Sequence, residues 1–265
     1  MKKVVLMMAL VATLFAGCTN KDNEEDFNLA KQMLGKWMMT QFDGNTLPTN
    51  AKVVYTFEST TNGYMSASVL SNSLSQPMWT NHAPSRITVD GKTITMRGEL
   101  SKTVTYEAVL EVKTISDGEM LADSRYIVYR NNEEMYNKSG TSRWTKVSKE
   151  YSSDILGIWE GSVTSGEGSE YDDGEPHRWE YLDNGTYVYY NLDDEQNWIP
   201  NANEYADYFV DGTLLCTRWK NIDDDEGREW WEIASISGGV MNWTALRKRT
   251  DGTTYTATFQ MTKVQ

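Results

Sequence analysis

The sequence predicts an all-β protein built as two tandem up-and-down antiparallel β-barrels, each of about eight strands. Three observations carry the prediction. Leu34-Gly35-Lys36-Trp37 returns as Leu156-Gly157-Ile158-Trp159, and the same offset of 122 relates Phe57 to Trp179 and Asn62-Gly63 to Asn184-Gly185. The composition is rich in residues that favour strands, with 10 Trp and 15 Tyr besides abundant Thr and Val. Asn-Gly and Asp-Gly pairs recur between runs of alternating polarity, which is the signature of tight hairpins.

Read in order, the chain opens with Lys2 and Lys3, an apolar run from Val4 to Phe15, then Ala16, Gly17 and Cys18. That pattern is a secretory signal peptide, and the run is too short to suit a permanent membrane span. Ala16-Gly17-Cys18 resembles a bacterial lipobox, which implies lipidation of Cys18 and removal of residues 1–17. Several acyl chains, at about 0.8 kcal/mol per buried CH₂, give stable anchoring. Residues 18–28 then read as a lipidated acidic tether: Thr19 to Asp26 holds four acids and no apolar residue. Acids just behind the cysteine also resemble the export signal of Bacteroidota lipoproteins, which implies the outer leaflet of the outer membrane, facing the cell exterior. With Cys18 acylated, only Cys216 remains, so no internal disulfide is expected and the fold stands on packing.

The first copy occupies 29–149 and the second 150–265. The first divides at its turns into segments near 36–42, 52–58, 64–70, 85–90, 92–98, 104–115, 119–130 and 140–147. In the second, the segments fall near 158–164, 177–182, 186–191, 204–210, 213–219, 229–237, 240–249 and 253–264. The offset holds at 121 for Val89-Asp90-Gly91 against Val210-Asp211-Gly212, and drops to 117 for Thr145-Lys146-Val147 against Thr262-Lys263-Val264. The loss is placed in a longer turn of the first copy, Asn131 to Gly140, against the tight Thr250-Asp251-Gly252-Thr253 of the second. Alternation sets faces: Tyr106, Ala108, Leu110 and Val112 share one side, Glu107 and Glu111 the other. Closure into a barrel removes the two raw edges that a meander of strands would leave.

Gly35-x-Trp37 and Gly157-x-Trp159, each at the head of such a set, resemble the first strand of the calycins (lipocalins, fatty-acid-binding proteins and avidins), especially the lipocalin-like domains of Bacteroidota lipoproteins. The resemblance covers essentially the whole mature chain. It implies that Gly35, Trp37, Gly157 and Trp159 form barrel floors, and that an Arg of the last strand lies across each Trp. Arg143 is the counterpart in the first copy; the aligned place in the second is Gln260, leaving Arg247 or Arg249. The rival architecture is a pair of β-sandwiches with Greek-key connections.

Chemistry is sparse. His82 and His177 do not correspond between copies; His82 reads as a loop residue, and no triad, metal site or phosphate-cradling loop is recognisable. No convincing helix follows the signal peptide. A non-enzymatic protein without cofactor or bound metal is expected, and a monomer. The acidic runs Glu170–Glu175, Asp193-Asp194-Glu195 and Asp223–Glu226 read as solvated hairpin tips that lack the spacing of a calcium loop. Charge divides unevenly within the total of −13: residues 151–265 carry 8 basic and 22 acidic groups, a net −14. Nucleic acid is thereby disfavoured as a partner.

Aromatic residues are also uneven. The first copy has three Trp, at 37, 79 and 144; the second has seven. Trp179, Tyr187, Tyr189, Trp219, Trp230, Trp231 and Trp243 are the candidate ligand-binding residues, suited to an amphipathic or apolar small molecule. Trp230 and Trp231 are consecutive on a strand, as are Tyr189 and Tyr190, so one of each pair points out of the barrel. Outward aromatics leave two further readings open: a surface glycan-binding accessory protein, or a protein-interaction module acting as inhibitor or adhesin.

Overall fold

The computed structural model describes residues 28–47, 52–69, 78–165, 176–221, 226–248 and 253–264. The signal sequence, the tether up to Phe27, the acidic run 170–175 and Asp223 to Asp225 lie outside the described residues.

Both copies begin with one helical turn followed by a strand. The first has α1 (Leu29–Gln32), capped by the side chain of Asn28, which accepts from the Lys31 amide. The second has a turn closed by the Ile155 amide donating to the Tyr151 carbonyl at 3.0 Å, as the Met33 amide donates to Leu29 at 2.9 Å. Leu29 and Met33, and Tyr151 and Ile155, bury their side chains in the respective cores, extending the 122-residue repeat upstream of the Gly-x-Trp phrase. These turns are the helical structure that strand-oriented reading passes over, because four residues are too few to show a helical period.

The first sheet runs β1 (Gly35–Phe42), β2 (Asn45–Thr46), β3 (Val53–Phe57), β4 (Asn62–Val69), β5 (Met78–Asp90), β6 (Thr93–Ser101), β7 (Val104–Ile115), β8 (Glu119–Arg130) and β9 (Glu133–Val147). Apart from the two-residue spur β2, neighbours in sequence pair antiparallel, and β9 returns to β1 with Trp37 opposite Lys146. The result is a closed eight-stranded up-and-down barrel. Tyr106, Ala108, Leu110 and Val112 all point into its core, which also holds Tyr55 stacked on Trp144 at 4.7 Å.

The second sheet contains β10 (Gly157–Ser165), β11 (His177–Tyr181), β12 (Tyr187–Leu192), β13 (Trp198–Pro200), β14 (Asn203–Asp211), β15 (Leu214–Asn221), β16 (Gly227–Ser237), β17 (Val240–Lys248) and β18 (Thr254–Lys263). Its order is β13-β12-β11-β10-β18-β17-β16-β15-β14, curled so that β12 approaches β14. The Thr186–Asp207 bridge joins the two ends, with two hydrogen bonds from Tyr208, its amide donating to the Gly185 carbonyl at 2.8 Å and its hydroxyl to the Leu182 carbonyl at 2.7 Å. Past that bridge β12 pairs with the short β13 instead, so this barrel is left open along one seam.

Three expectations are corrected. The stretch from Asn131 to Gly140 is not a long turn: Asn131 and Asn132 make a two-residue turn, both at positive φ, and β8 and β9 extend through the rest. His82 is not in a loop but within β5, at a bulge where it takes φ of 51° and its amide donates to the Ser66 hydroxyl. Arg249 and the side chain of Arg247 lie outside the described residues, among which no Arg crosses the two repeated indoles. Lys146 and Lys263 do, each with its ammonium 5.2 Å from the ring centre of Trp37 or Trp159. Arg143 instead pairs with Glu119 on the outside of the first barrel.

The repeated phrase has a geometric reason. Gly35 and Gly157 adopt φ of 111° and 109°, and a Cβ built on them would stand 3.1 and 3.0 Å from Cε of Lys146 and Lys263. Glycine therefore admits both the backbone turn and the lysine stem that covers the indole. On its other side each indole N–H donates to the carbonyl four residues back, Trp37 to Met33 at 2.7 Å and Trp159 to Ile155 at 2.6 Å. Both Trp side chains are fully buried.

The outer walls of the barrels meet in a third apolar cluster. Met38 and Val54 of the first face Phe209, Leu214, Cys216 and Trp230 of the second, with Trp79 and Val147 at the margin. Trp79 meets Phe209 edge-on at 4.9 Å, and Trp230 donates its indole N–H to the Ser68 carbonyl at 2.8 Å. Polar links ring the cluster: Lys52 to Glu232 at 2.6 Å, Lys36 to Glu150 at 2.5 Å and to the buried Asp211, and Arg228 to the Met78 carbonyl at 2.6 Å. Cys216 is sealed here, and burial pushes its thiol well above the ordinary value.

Candidate functional site

The alternation within the second sheet sorts its aromatics. On β16, Trp231 points into the barrel and Trp230 out into the inter-barrel cluster. On β12, Tyr189 packs against the core while Tyr190 lies on the outer wall, donating to Glu180 at 2.6 Å. The interior is largely filled. Trp231 stacks on Trp243 at 5.6 Å, and Trp179 meets Trp243 edge-on at 5.3 Å and Phe259 at 5.7 Å. Such aromatic packing leaves no room for a long chain through the barrel axis.

Space remains at the open seam. A cleft of about 210 Å³ lies where β12 and β14 part, lined by Trp179, Tyr187, Tyr189, Asn201, Asn203, Trp219 and Glu229. Four of the seven sequence-predicted ligand residues meet there: Trp179, Tyr187, Tyr189 and Trp219. The other three do not line it: Trp231 and Trp243 are core, and Trp230 is sealed between the barrels. Trp230 and Trp231, only 5% and 3% exposed, offer no free ring face to a surface glycan.

Each wall of the cleft is held from behind. Tyr189 shares a hydrogen bond of 3.0 Å with Nδ1 of His177, whose ring stacks on Trp179 at 5.4 Å. Tyr187 is buried and hydrogen-bonded to Thr217, and its hydroxyl is held above the ordinary tyrosine value chiefly by burial. Trp219 lies flat over its cross-strand partner Gly227, where an added Cβ would come within 2.5 Å of the indole. Only glycine leaves that space, so Gly227 sets the pose of the ring. Asn201 is fixed by its amide, which donates to the Tyr189 carbonyl at 2.7 Å.

Two of the polar residues offer acceptors, beside the N–H donors of the Asn201 and Asn203 side-chain amides. Glu229 receives the Trp231 indole N–H at 3.1 Å. The side-chain carbonyl oxygen of Asn203 is buried and has no hydrogen-bond partner. A buried acceptor left unpaired is unfavourable by about 1–3 kcal/mol, and a ligand N–H or O–H would relieve it. None of the seven lining residues is basic. Among the described residues, no group of three or more His, Cys, Asp and Glu converges as a metal site. His82 and His177 stand in different barrels, His82 facing Asp211 across the interface at 3.4 Å.

Sequence reasoning found the aromatic walls but not Asn201, Asn203 or Glu229. Asn201 follows the three-residue β13 and Asn203 opens β14, and their meaning depends on the barrel failing to close.

The chain matches no protein-family model and no curated protein sequence. Among solved structures it is similar to transferrin binding protein B of Haemophilus parasuis Hp5, a vaccine antigen crystallised as a double mutant, at 7% identity and a TM-score of 0.24. That match covers 87% of this chain but 45% of the other, so this chain spans under half its length. It is also similar to a protein of unknown function from the DUF3598 family of Nostoc punctiforme PCC 73102, at 12% identity and a TM-score of 0.21, over 89% of this chain and 97% of that one. Likenesses at these TM-scores carry no argument about function.

Proposed function

We propose that this chain is a non-catalytic binding lipoprotein, anchored by acylated Cys18 in the outer membrane and facing the cell exterior. In this reading the second barrel holds a small amphipathic ligand in its seam cleft. The first barrel is the docking partner that occupies the opposite outer wall. The observation that carries the reading is the cleft itself, with four aromatic walls, a glutamate and an unpaired buried acceptor around about 210 Å³. Pockets for drug-sized ligands run to about 300–1,000 Å³. This one therefore suits a head group or a single ring, with any apolar tail left at the mouth. The lipobox-like Ala16-Gly17-Cys18 and the acidic tether support the address.

Native mass spectrometry and Trp-fluorescence titration of the mature chain, against a panel of cationic, neutral and anionic amphiphiles, test the binding role. Saturable binding by at least one class, weakened by Trp219→Ala, is expected. Silence across all classes would remove the reading.

A further inference from the structure

Taking the seam cleft as the binding site, we infer that it holds a neutral sugar, one pyranose ring stacked on the aromatic walls and hydrogen-bonded at its rim by the Asn201 and Asn203 carboxamides. A pyranose has two kinds of surface, a face of C–H groups and a rim of hydroxyls. The cleft is divided in the same way.

Its apolar walls stand on both sides of the seam. On one side, Tyr187 and Tyr189 occupy alternate positions of β12, and Trp179 of β11 is the cross-strand partner of Tyr189, the two rings 5.2 Å apart. On the other side, Trp219 of β15 is held in its pose by Gly227. Such rings are flat and apolar on their faces, so they receive the C–H face of a sugar without asking for a hydrogen bond there.

The polar lining selects the rim. Each carboxamide sets a carbonyl oxygen beside N–H donors, and neighbouring ring hydroxyls stand side by side, so one carboxamide can accept from the first and donate to the second. The Asn203 oxygen has no partner within the fold, and a hydroxyl proton would supply one. A hydrocarbon or a polyether brings no such proton along its length. An ammonium group can only donate and has nothing for the amide N–H groups, while a carboxylate can only accept and leaves the Asn203 oxygen as it stands. A space of about 210 Å³ takes one ring, the rest of the ligand remaining at the mouth. That ring is either the end of a glycan or the head of a glycolipid.

The test compares the octyl glycosides of glucose, galactose and mannose with octyl tetra(ethylene glycol), which keeps the tail and a neutral, oxygen-rich head but has no ring. Each is titrated into the mature chain below its micelle-forming concentration by calorimetry and Trp fluorescence, together with the matching methyl glycosides. At least one octyl glycoside should bind about tenfold more tightly than the polyether. Saturation-transfer NMR should label its ring protons more strongly than its chain. Asn203→Leu should erase most of the preference. Trp219→Leu should weaken the glycoside more than Trp219→Phe, which keeps a ring, and circular dichroism identifies a variant that has lost its fold. A methyl glycoside bound as tightly as its octyl counterpart would identify a glycan end as the source; binding that needs the tail would identify a glycolipid. Equal or tighter binding of the polyether, or labelling confined to the octyl chain, would overturn the sugar assignment and leave the cleft as the binding site. No binding by any amphiphile, sugar-headed or not, would remove the cleft reading as well.

Discussion

Trp230 donates its indole N–H to the backbone carbonyl of Ser68, 2.8 Å away in the other barrel. An aromatic that points out of the second barrel is thereby part of the contact between barrels, surrounded by Met38, Val54, Phe209, Leu214 and Cys216. Trp230→Ala should remove both the packing and the hydrogen bond, and destabilise the docked pair by about 2–4 kcal/mol. Urea unfolding should then separate into two transitions where the wild type shows more concerted loss. An unchanged unfolding profile would mean that the contact contributes nothing to stability.

Gly157 is expected to be intolerant of substitution for two separable reasons. Alanine there would hold φ near 109° and place its Cβ 3.0 Å from Cε of Lys263. The backbone alone contributes about 1–3 kcal/mol of strain. Gly157→Ala should therefore lower the urea midpoint, and adding Lys263→Ala should recover only the crowding part. Complete recovery in the double variant would show that the backbone conformation is not strained.

Buried tyrosines set the alkaline limit of the fold. Burial pushes Tyr106 and Tyr208 up to about 12 and raises Tyr55, Tyr126, Tyr181 and Tyr187 as well. Lys36 is raised too: burial lowers it, but Asp211 and Glu150 together outweigh that. For all of these the folded value lies above the unfolded one. Their contribution to stability is complete below the ordinary value near 10 and declines as pH rises above it. Tyrosinate absorbance from the buried rings should appear together with loss of near-ultraviolet circular dichroism. Full tyrosine ionisation in a chain that keeps its native spectrum would contradict this.

Much of the architecture was legible in the residues, for identifiable reasons. Alternation along Tyr106 to Val112 and the recurrent Asn-Gly and Asp-Gly pairs are local signals, and they placed strands, faces and turns. The Leu-Gly-x-Trp phrase located the start of each barrel because one glycine and one indole must stand together there. What covers the indole was not legible. Lys146 and Lys263 come from the far end of each copy, and the calycin resemblance pointed to arginine instead. The open seam also escaped, since nothing local in Trp198 to Pro200 says that β13 takes the place of a β12–β14 ladder. The Trp230–Trp231 pair showed that one ring faces outward, but only the second barrel's neighbour decides what covers it.

In the proposed reading, anchoring depends on one atom, the sulfur of Cys18. Cys18→Ser should move the protein from the detergent phase to the aqueous phase on Triton X partitioning and abolish its labelling by a fatty-acid analogue. External protease should digest the wild type on intact cells. Retention of the serine variant in the membrane fraction would point to a different anchor.

The most direct measurement is to purify the wild type and Trp219→Ala from the membranes of the producing cell, and to compare by native mass spectrometry the small molecules each retains. A small amphipathic compound carried by the wild type and absent from Trp219→Ala is the expected result. The same compound retained by Trp219→Ala but lost on Trp198→Ala, at the outer wall, would place binding outside the seam cleft and contradict the assignment.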